Sequence, residues 1–326
     1  MLSIYFVICL IINSFFMSHI DKINKYSWFV IANPTSGNRN FSKLWKEIQQ
    51  SLKNKNLDYS FAFTQFSKHE IELAQNAIQK GFRNIISVGG DGTLHHVVNG
   101  VMLQRYVKSS DITIAVIPLG TGNDWIKTYN IPNSIQKAVE IIHTKKVILQ
   151  DIGVLEASNK TRSYFNNVAG LGYDGYVVNK LCSLKKFGAI SYLLAGLNSL
   201  LFYKKSVFKI TFNNETIENR CLMTVFGICK FSGDGMQFTK NVDSTDGFLD
   251  ITVVKDLSFF DVIFNISKLY SGKIVNHKKI ATYKTKEIKV IAKDSKPFIQ
   301  ADGELIANGD VRVTIIEKAI QFVVNE

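Results

Sequence analysis

Proline and cysteine are both scarce in this chain, which has only four of each among 326 residues. The few prolines, together with 46% hydrophobic and 20% charged residues, exclude a disordered chain and predict packed cores. The cysteines form no CxxC pair and no Cys/His group at metal-ligand spacing. We therefore expect reduced thiols in a cytoplasmic protein.

A hydrophobic run long enough to span a bilayer is missing from the start of the chain. The apolar run from Met1 to Phe16 is shorter than the ~20 residues that a spanning helix needs. It also lacks the positive n-region and the small-residue cleavage site of a signal peptide. We interpret residues 1–24 as an N-terminal extension, either a misplaced start with translation beginning at Met17 or a weak membrane anchor.

The common nucleotide-binding fingerprints are missing as well. No GxxxxGK[ST] sequence occurs, which excludes a P-loop protein. A GxGxxG run is present at Gly170, Gly172 and Gly175, but it opens no clear helix in the sequence pattern, and no acidic residue follows about twenty positions later. We interpret it as a close-packed turn.

Positive charge is in excess, with a net charge of +12 and a pI near 9.3. A positive surface field favours an anionic partner such as phosphate, nucleic acid or acidic lipid. A general bias towards lysine and asparagine explains the same numbers equally well, so charge alone leaves the partner open.

The first half of the chain has the pattern of a parallel α/β domain. Short apolar runs that predict strands alternate with longer amphipathic stretches that predict helices. The predicted strands are Trp28–Ala32, Tyr59–Phe63, Asn84–Val88 and Thr113–Ile117, and the predicted helices are Asn40–Lys53, His69–Lys80 and Thr93–Val107. We place this nucleotide-binding domain at residues 25–146.

The second half predicts strands without regular helices between them, as in an antiparallel β-sandwich. The predicted strands are Thr161–Val168, Val207–Phe212, Cys221–Cys229, Leu249–Val254, Glu287–Ala292 and Val311–Ile316. One apolar stretch, Leu181–Leu201, is predicted to be helical and has lysine pairs at Lys185/Lys186 and Lys204/Lys205. It is either an ordinary core helix or a membrane-docking element.

Three unusual loops follow strands of the predicted parallel sheet: NPTSG at 33–37, GGDGT at 89–93 and PLGTGND at 118–124. Ligands bind at the carboxyl ends of such strands, and glycine-rich loops let backbone N–H groups approach a phosphate. Each loop alone is equally typical of a tight turn. Asp91 would repel bare phosphates, so its presence predicts an intervening Mg²⁺.

These motifs, with FNNVAGLGYDG, TDGFLD and ADGE, resemble in order and spacing the diacylglycerol-kinase catalytic family, whose relatives include ceramide and sphingosine kinases. The resemblance covers the chain from Ser27 onward. It implies a Rossmann-like α/β domain similar to NAD kinase and phosphofructokinase, then a β-sandwich domain at 147–306. Residues 307–326 would return to the first domain, and the nucleotide would lie in the interdomain cleft.

The resemblance also implies the site residues. ATP would contact Asn33, Pro34, Thr35, Ser36, Gly37, Thr64, Gly90, Asp91, Gly92, Thr93, Leu94, His95, His96 and Thr121. A structural Mg²⁺ would be held by Asp243, Asp246 and the carbonyl of Phe248. In ADGE, Asp302 or Glu304 would accept the proton of a lipid hydroxyl, and the sequence does not choose between them. Asp91 completes the catalytic set.

One departure from the family pattern is His96, which stands where many members have glutamate. It predicts weaker nucleotide binding, or a pH dependence from a histidine charge near neutrality, unless the position is inconsequential. The sequence thus predicts an ATP- and Mg²⁺-dependent lipid kinase, cytoplasmic and peripheral to the membrane, compatible with a homodimer and without a nucleic-acid partner. The alternatives are a soluble-substrate kinase of the NAD kinase type and an inactive lipid-binding regulator.

Overall fold

The computed structural model describes residues 27–36, 40–181 and 189–325, with backbone only at 181 and 189–194. The predicted extension 1–24, Gly37, Cys9, Cys182 and the pair Lys185/Lys186 lie outside these residues. The two cysteines inside them, Cys221 and Cys229, are free and buried. Burial raises the pKa of both thiols to about 12, so they remain protonated.

The first domain is a parallel sheet of four strands in the order β2-β1-β3-β4. The strands are β1 (Trp28–Ala32), β2 (Tyr59–Phe63), β3 (Asn84–Gly89) and β4 (Thr113–Pro118). Every residue of β3 and β4 is buried, as expected for central strands covered by helices on both faces. The four predicted strands are confirmed to within one residue.

Five helices accompany this sheet: α1 (Phe41–Asn54), α2 (His69–Gln79), α3 (Asp91–Leu103), α4 (Asp124–Thr128) and α5 (Ile135–Thr144). Helix α3 begins two residues earlier than predicted, with Gly90 as its N-cap. It also ends earlier, because the backbone of Gln104 is extended and its side chain accepts the N–H groups of the following turn. Nearly all of α3 is buried, which is typical of a helix between two domains.

The second domain is an antiparallel arrangement of strands. Its strands are β5 (Val147–Ala157), β6 (Arg162–Phe165), β7 (Val168–Gly172), β8 (Ser206–Phe212), β9 (Glu215–Gly227), β10 (Leu249–Lys255), β11 (Ile280–Thr285), β12 (Glu287–Ala292), β13 (Phe298–Ala301), β14 (Glu304–Asn308) and β15 (Val311–Val323). The prediction of one strand over Thr161–Val168 is wrong. Strand pairing stops at Asn166 and Asn167, whose backbone N–H groups bind the Asp302 carboxylate instead.

Two helices lie in the region of the predicted helix Leu181–Leu201. Helix α6 (Tyr173–Leu181) ends at its first residue, and α7 (Ala189–Leu200) confirms the helix over its second half. Residues 182–188 lie outside the described residues. Helix α6 starts directly after Gly172, so the expectation that the GxGxxG run opens no helix is wrong. The interpretation of the run as a turn is also wrong, because Gly170 and Gly172 belong to β7 and Gly175 belongs to α6. The close packing is present, since a Cβ on Gly175 would lie 2.4 Å from the carbonyl oxygen of Phe298. Helices α8 (Phe259–Phe264) and α9 (Ile266–Tyr270) follow β10.

Strand β15 joins the two halves of the fold. It pairs antiparallel with β12 and with β5, and its last residues pair parallel with β4 through Gln321 and Thr113. One continuous sheet therefore runs from the parallel α/β half into the sandwich. Among the described helices, none combines the length and apolar character needed to cross a membrane.

Candidate active site

The loop after β1 is held by the side chain of Asn33. Its Oδ1 accepts hydrogen bonds from the backbone N–H of Thr35 at 3.0 Å and from its hydroxyl at 2.8 Å. Its Nδ2 donates to Glu70 Oε1 at 3.2 Å and to Thr93 Oγ1 at 3.3 Å. Asn33 therefore fixes this loop to the starts of α2 and α3.

The loops after β3 and β4 cross in direct backbone contact. A Cβ on Gly120 would lie 2.5 Å from the Cα of Gly90, and the N–H of Leu119 donates to Gly89 O at 2.8 Å. No side chain larger than hydrogen fits at Gly120 without moving backbone. The glycines here permit a close approach of two chains, and the N-terminus of α3 opens beside them, where its partial positive charge favours an anion.

A polar groove runs along these loops. It is lined by Asn33, Thr35, Ser36, Thr64, Gln65, Phe66, Ser67, Lys68, Glu70, Gly90, Gly92, Thr93, His96, Gly120 and Glu304. Eight of the predicted ATP contacts are among these residues. Leu94 and His95 are not, because Leu94 packs in the core and His95 turns towards Asp302. Thr121 lies in the adjoining cleft together with Asp91.

Asp91 lies in the cleft, and its carboxylate also accepts backbone hydrogen bonds. Its carboxylate accepts the N–H groups of Asp124 at 3.0 Å and Trp125 at 3.2 Å, so it closes the first turn of α4. Burial and the nearby charge of Asp124 raise the pKa of Asp91 to about 6. A divalent cation at this pair would relieve that repulsion, but it would compete with these N–H groups and with Lys127, whose ammonium lies 3.0 Å from Asp124 Oδ1.

Both carboxylate oxygens of Asp302 are engaged in hydrogen bonds. Its Oδ1 accepts the N–H groups of Asn167 at 3.0 Å and Val168 at 3.2 Å, and its Oδ2 accepts that of Asn166 at 3.2 Å. The same Oδ2 lies 2.9 Å from His95 Nδ1, and the Asp302 side chain is 2% exposed. Asp302 thus fixes the ADGE turn to α3 and to the break between β6 and β7.

Glu304 is half-buried at the junction of two pockets. It lines both the polar groove and the cleft that contains Asp91 and Asp302. Its Oε1 lies 2.6 Å from where a Cβ on Gly92 would stand. Within the described ranges, no hydrogen bond or ion pair engages its carboxylate. The two candidate acids of ADGE therefore differ in kind: Asp302 is fully bonded and Glu304 is free to meet a ligand.

The two histidines of α3 have separate environments. His95 Nε2 lies 3.3 Å from Asn99 Nδ2, and Asn99 in turn bonds the backbone of Tyr164 in β6. His96 faces the groove, where burial, His95 and Lys68 lower its pKa to about 3. So low a pKa argues against a histidine charge near neutrality at this position. The expected effect of His96 on nucleotide binding stays a prediction.

Glu70 is a groove residue that sequence reasoning missed. It is 2% exposed, and its Oε2 has no hydrogen-bond partner within the described part of the chain. Burial raises the pKa of Glu70, opposed by its bonds to backbone and to Asn33. The only signal in the sequence was an acid in the first turn of a predicted helix, which is also the ordinary place for a solvent-facing glutamate.

The predicted metal segment lies in a polar turn before β10. Asp243 Oδ1 accepts the N–H of Thr245 at 2.9 Å, and Asp246 Oδ1 accepts the N–H of Phe248 at 3.0 Å. Carboxylate and carbonyl oxygens are donors that suit Mg²⁺. The ammonium of Lys284 already contacts Asp246 and would compete for it. Within the described ranges, no three His, Cys, Asp or Glu side chains form a metal-binding group.

An apolar cavity opens from the same cleft into the sandwich domain. Asp174, Ser232, Gly233 and Asp234 line both spaces. Most of the remaining wall is hydrophobic and is formed by α6, α7, β9, β10, the segment between β9 and β10, the α8–α9 region and the chain from there to the start of β11. The residues are Tyr173, Val177, Gly196, Leu197, Leu200, Leu222, Met223, Met236, Phe238, Val254, Leu257, Val262, Leu269, Tyr270, Ile274 and Ile280. A polar cleft thus continues into a hydrophobic cavity.

Residues 27–155 match the model of the diacylglycerol kinase catalytic domain, and residues 167–324 match the YegS C-terminal NAD kinase β-sandwich-like domain. A protein of Shewanella frigidimarina named "Probable lipid kinase YegS-like" is 30% identical over 260 residues, covering 78% of this chain and 80% of the relative. A diacylglycerol kinase of Staphylococcus carnosus is 26% identical, with 84% and 87% covered.

Solved structures show the same fold. The crystal structure of a diacylglycerol kinase from Bacillus anthracis superposes with a TM-score of 0.69 at 22% identity, covering 92% of this chain and 97% of that one. At that identity the likeness supports the two-domain architecture only.

Proposed function

The chain belongs to the diacylglycerol-kinase catalytic family, and from this premise we propose that it transfers the γ-phosphate of ATP to the hydroxyl of a lipid, with diacylglycerol or a related glycerolipid or sphingolipid as acceptor. The observation that carries the proposal is the position of Glu304. Its unengaged carboxylate lies where the polar groove meets the cleft that leads into the apolar cavity.

ATP would lie along the polar groove. The N-terminus of α3 and the backbone of the three loops would meet its phosphates, and Asn33, Ser36 and Thr93 would supply polar side chains. Mg²⁺ bound near Asp91 would neutralise phosphate charge. The raised pKa of Asp91 is consistent with a carboxylate arranged to meet a cation.

Glu304 would be the proton acceptor and Asp302 a positioning residue. The acceptor hydroxyl oxygen forms a bond to the γ-phosphorus, the bond to the bridging oxygen of ADP breaks, and the hydroxyl proton passes to Glu304. Asp302 is unsuited to that role because four hydrogen bonds already occupy its oxygens. Those bonds instead hold the turn that presents Glu304.

The apolar cavity favours a lipid over the soluble acceptor of an NAD kinase. A nucleotide acceptor would need polar partners, whereas this cavity offers aliphatic and aromatic walls that match an acyl or alkyl chain. The tail would lie in the cavity while its hydroxyl reaches the cleft beside Glu304. The enzyme would then work at a membrane surface on the cytoplasmic side.

Two further assignments complete the proposal. A structural Mg²⁺ would be held by Asp243, Asp246 and the carbonyl of Phe248, with Lys284 displaced from Asp246. The nucleotide-binding unit would span 25–146, the sandwich 147–306, and the segment 307–326 would belong to the first unit through the pairing of β15 with β4.

The test is a transfer assay with γ-labelled ATP and Mg²⁺ against a panel of diacylglycerol, phosphatidylglycerol, sphingoid base, polyprenol and NAD. We expect label in a lipid product and none in NADP. Asp91→Asn should abolish transfer, and Glu215→Gln, an exposed acid at the start of β9, should not. Label in NADP alone would support the soluble-substrate kinase. No transfer by a folded, ATP-binding wild type would support the inactive regulator.

A further inference from the structure

Large hydrophobic side chains are exposed together at one end of the sandwich domain. Phe264 is 80% exposed, Phe202 77% and Phe260 65%, and Leu201 and Ile263 are exposed as well. We call these five residues the aromatic face. Leu201 and Phe202 directly follow α7, and the other three belong to α8. Helices α7 and α8 are in contact, so the two groups are neighbours.

Helix α8 has two sides with different partners. Phe259 and Val262 pack inwards on a small core that includes Leu200 and Tyr203. Phe260 and Phe264 lie one turn apart on the outer side, with ring centroids 6.4 Å apart and near-parallel planes. A capping box at Ser258 and Asp261 fixes the first turn. The outward rings are thus held in place by a fixed helix rather than by a loose loop.

The inner side of the same helices forms the wall of the apolar cavity. Leu197 and Leu200 of α7 and Val262 of α8 line it. Both leucines belong to the stretch predicted to be either a core helix or a membrane-docking element, and both contribute to the cavity wall. The side chains of residues 192–194 lie outside the described residues, so the choice between the two alternatives stays a prediction. Directly after α7, Leu201 and Phe202 are exposed.

Lysines are frequent in the chain segments that carry the aromatic face. Segments 201–205 and 255–279 contain seven lysines and two aspartates, a surplus of five positive charges. The two aspartates, Asp256 and Asp261, are themselves paired with Lys205 and Lys279. Exposed aromatic rings in segments with this surplus of lysine match the interfacial region of a bilayer that contains anionic lipids, where the rings enter the acyl boundary and the ammonium groups meet headgroups.

We propose that the aromatic face is the surface by which this protein docks on an anionic membrane, and that the lipid acceptor enters the cavity between α7 and α8 from that membrane. The inference rests on the proposed lipid-kinase function and names the surface that delivers its substrate. A lipid leaving the bilayer at this face has only the thickness of these two helices between it and the cavity.

Vesicle binding of the full chain tests the docking. Wild type should bind vesicles of phosphatidylcholine with phosphatidylglycerol more tightly than phosphatidylcholine alone, and added salt should weaken it. Phe260→Ala/Phe264→Ala should lower the bound fraction on the order of tenfold or more. Lys268→Glu/Lys273→Glu should reduce the preference for the anionic vesicles. Leu103→Ala/Tyr106→Ala, which removes exposed apolar side chains from the first domain, is the matched control and should change binding less than about twofold.

Kinase assays on two substrates distinguish an error in the proposed docking surface from an error in the proposed lipid-kinase function. The Phe260→Ala/Phe264→Ala variant should phosphorylate a short-chain diacylglycerol dispersed as monomers at the wild-type rate, and long-chain diacylglycerol in vesicles much more slowly. Equal loss on both substrates, or unchanged vesicle binding, would overturn the docking role while leaving the kinase intact. If the variant instead converts a dimer to a monomer without changing vesicle binding, the face is an interface between two copies.

Discussion

If Glu304 is the base and Asp302 holds the ADGE turn, replacing each acid by its amide affects different properties. Asp302→Asn should lower stability, and Glu304→Gln should lower kcat. In Asp302→Asn, one carboxylate oxygen becomes an NH₂ group that faces N–H donors. Each oxygen of Asp302 serves two donors, so at least one buried N–H loses its acceptor. A buried unsatisfied donor costs about 1–3 kcal/mol, and we expect the free energy of unfolding to fall by about 3 kcal/mol.

Glu304→Gln has no such cost, because none of the described groups bonds to its carboxylate. We expect the free energy of unfolding to change by less than about 0.5 kcal/mol. Loss of a general base lowers kcat by roughly 10²–10⁴-fold, equivalent to about 3–5 kcal/mol in the activation barrier. KM for ATP should change little, since the groove keeps its other residues.

Urea unfolding and initial rates of label transfer measure the two quantities on the same preparations. Glu215→Gln serves as the control for loss of one exposed negative charge. A Glu304→Gln enzyme with kcat within about threefold of wild type would refute the assignment of the base. So would a Glu304→Gln protein destabilised as strongly as Asp302→Asn, because the carboxylate would then have a structural partner.

Three other substitutions test the site. Gly92→Ala should leave stability unchanged or raise it by ~0.5–1 kcal/mol, because alanine favours helix, yet lower kcat more than about tenfold, because its Cβ displaces the Glu304 carboxylate. His96→Gln should remove a loss of stability at acid pH. Because the pKa of His96 is lowered to about 3 in the folded protein, the unfolded state binds the proton more tightly, and the free energy of unfolding of wild type should fall by about 2–3 kcal/mol between about pH 6.5 and about pH 4.5. Urea titration at each pH measures this change. A His96→Gln protein that loses stability in parallel with wild type would contradict this. Val262→Trp should fill the apolar cavity and raise KM for a long-chain lipid about tenfold, with KM for ATP unchanged; equal effects on both substrates would argue against a tail in that cavity.

Much of the fold could be predicted locally. The strands of the first domain are continuous apolar runs bounded by polar loops, a pattern that depends only on burial of both faces of a parallel sheet. The strands of the sandwich were harder to predict, because residues far away in sequence decide where they are interrupted. The break at Asn166 and Asn167 exists because Asp302, far away in sequence, binds their N–H groups. The short strands β13 and β14 flank a tight turn in which Asp302 and Gly303 have positive φ.

By itself the sequence determined the parallel domain and the three glycine-bearing loops, since each follows from residue types at fixed spacing. The two candidate acids came from the resemblance of ADGE to the family's catalytic segment. Only the tertiary structure distinguished the acids, because bonding and exposure depend on what the other domain places against each carboxylate. It also decided that His96 is neutral, since that depends on burial and on Lys68. The apolar helix was ambiguous for the same reason: which of its sides meets a cavity and which meets solvent is decided by packing between α7 and α8, not by its composition.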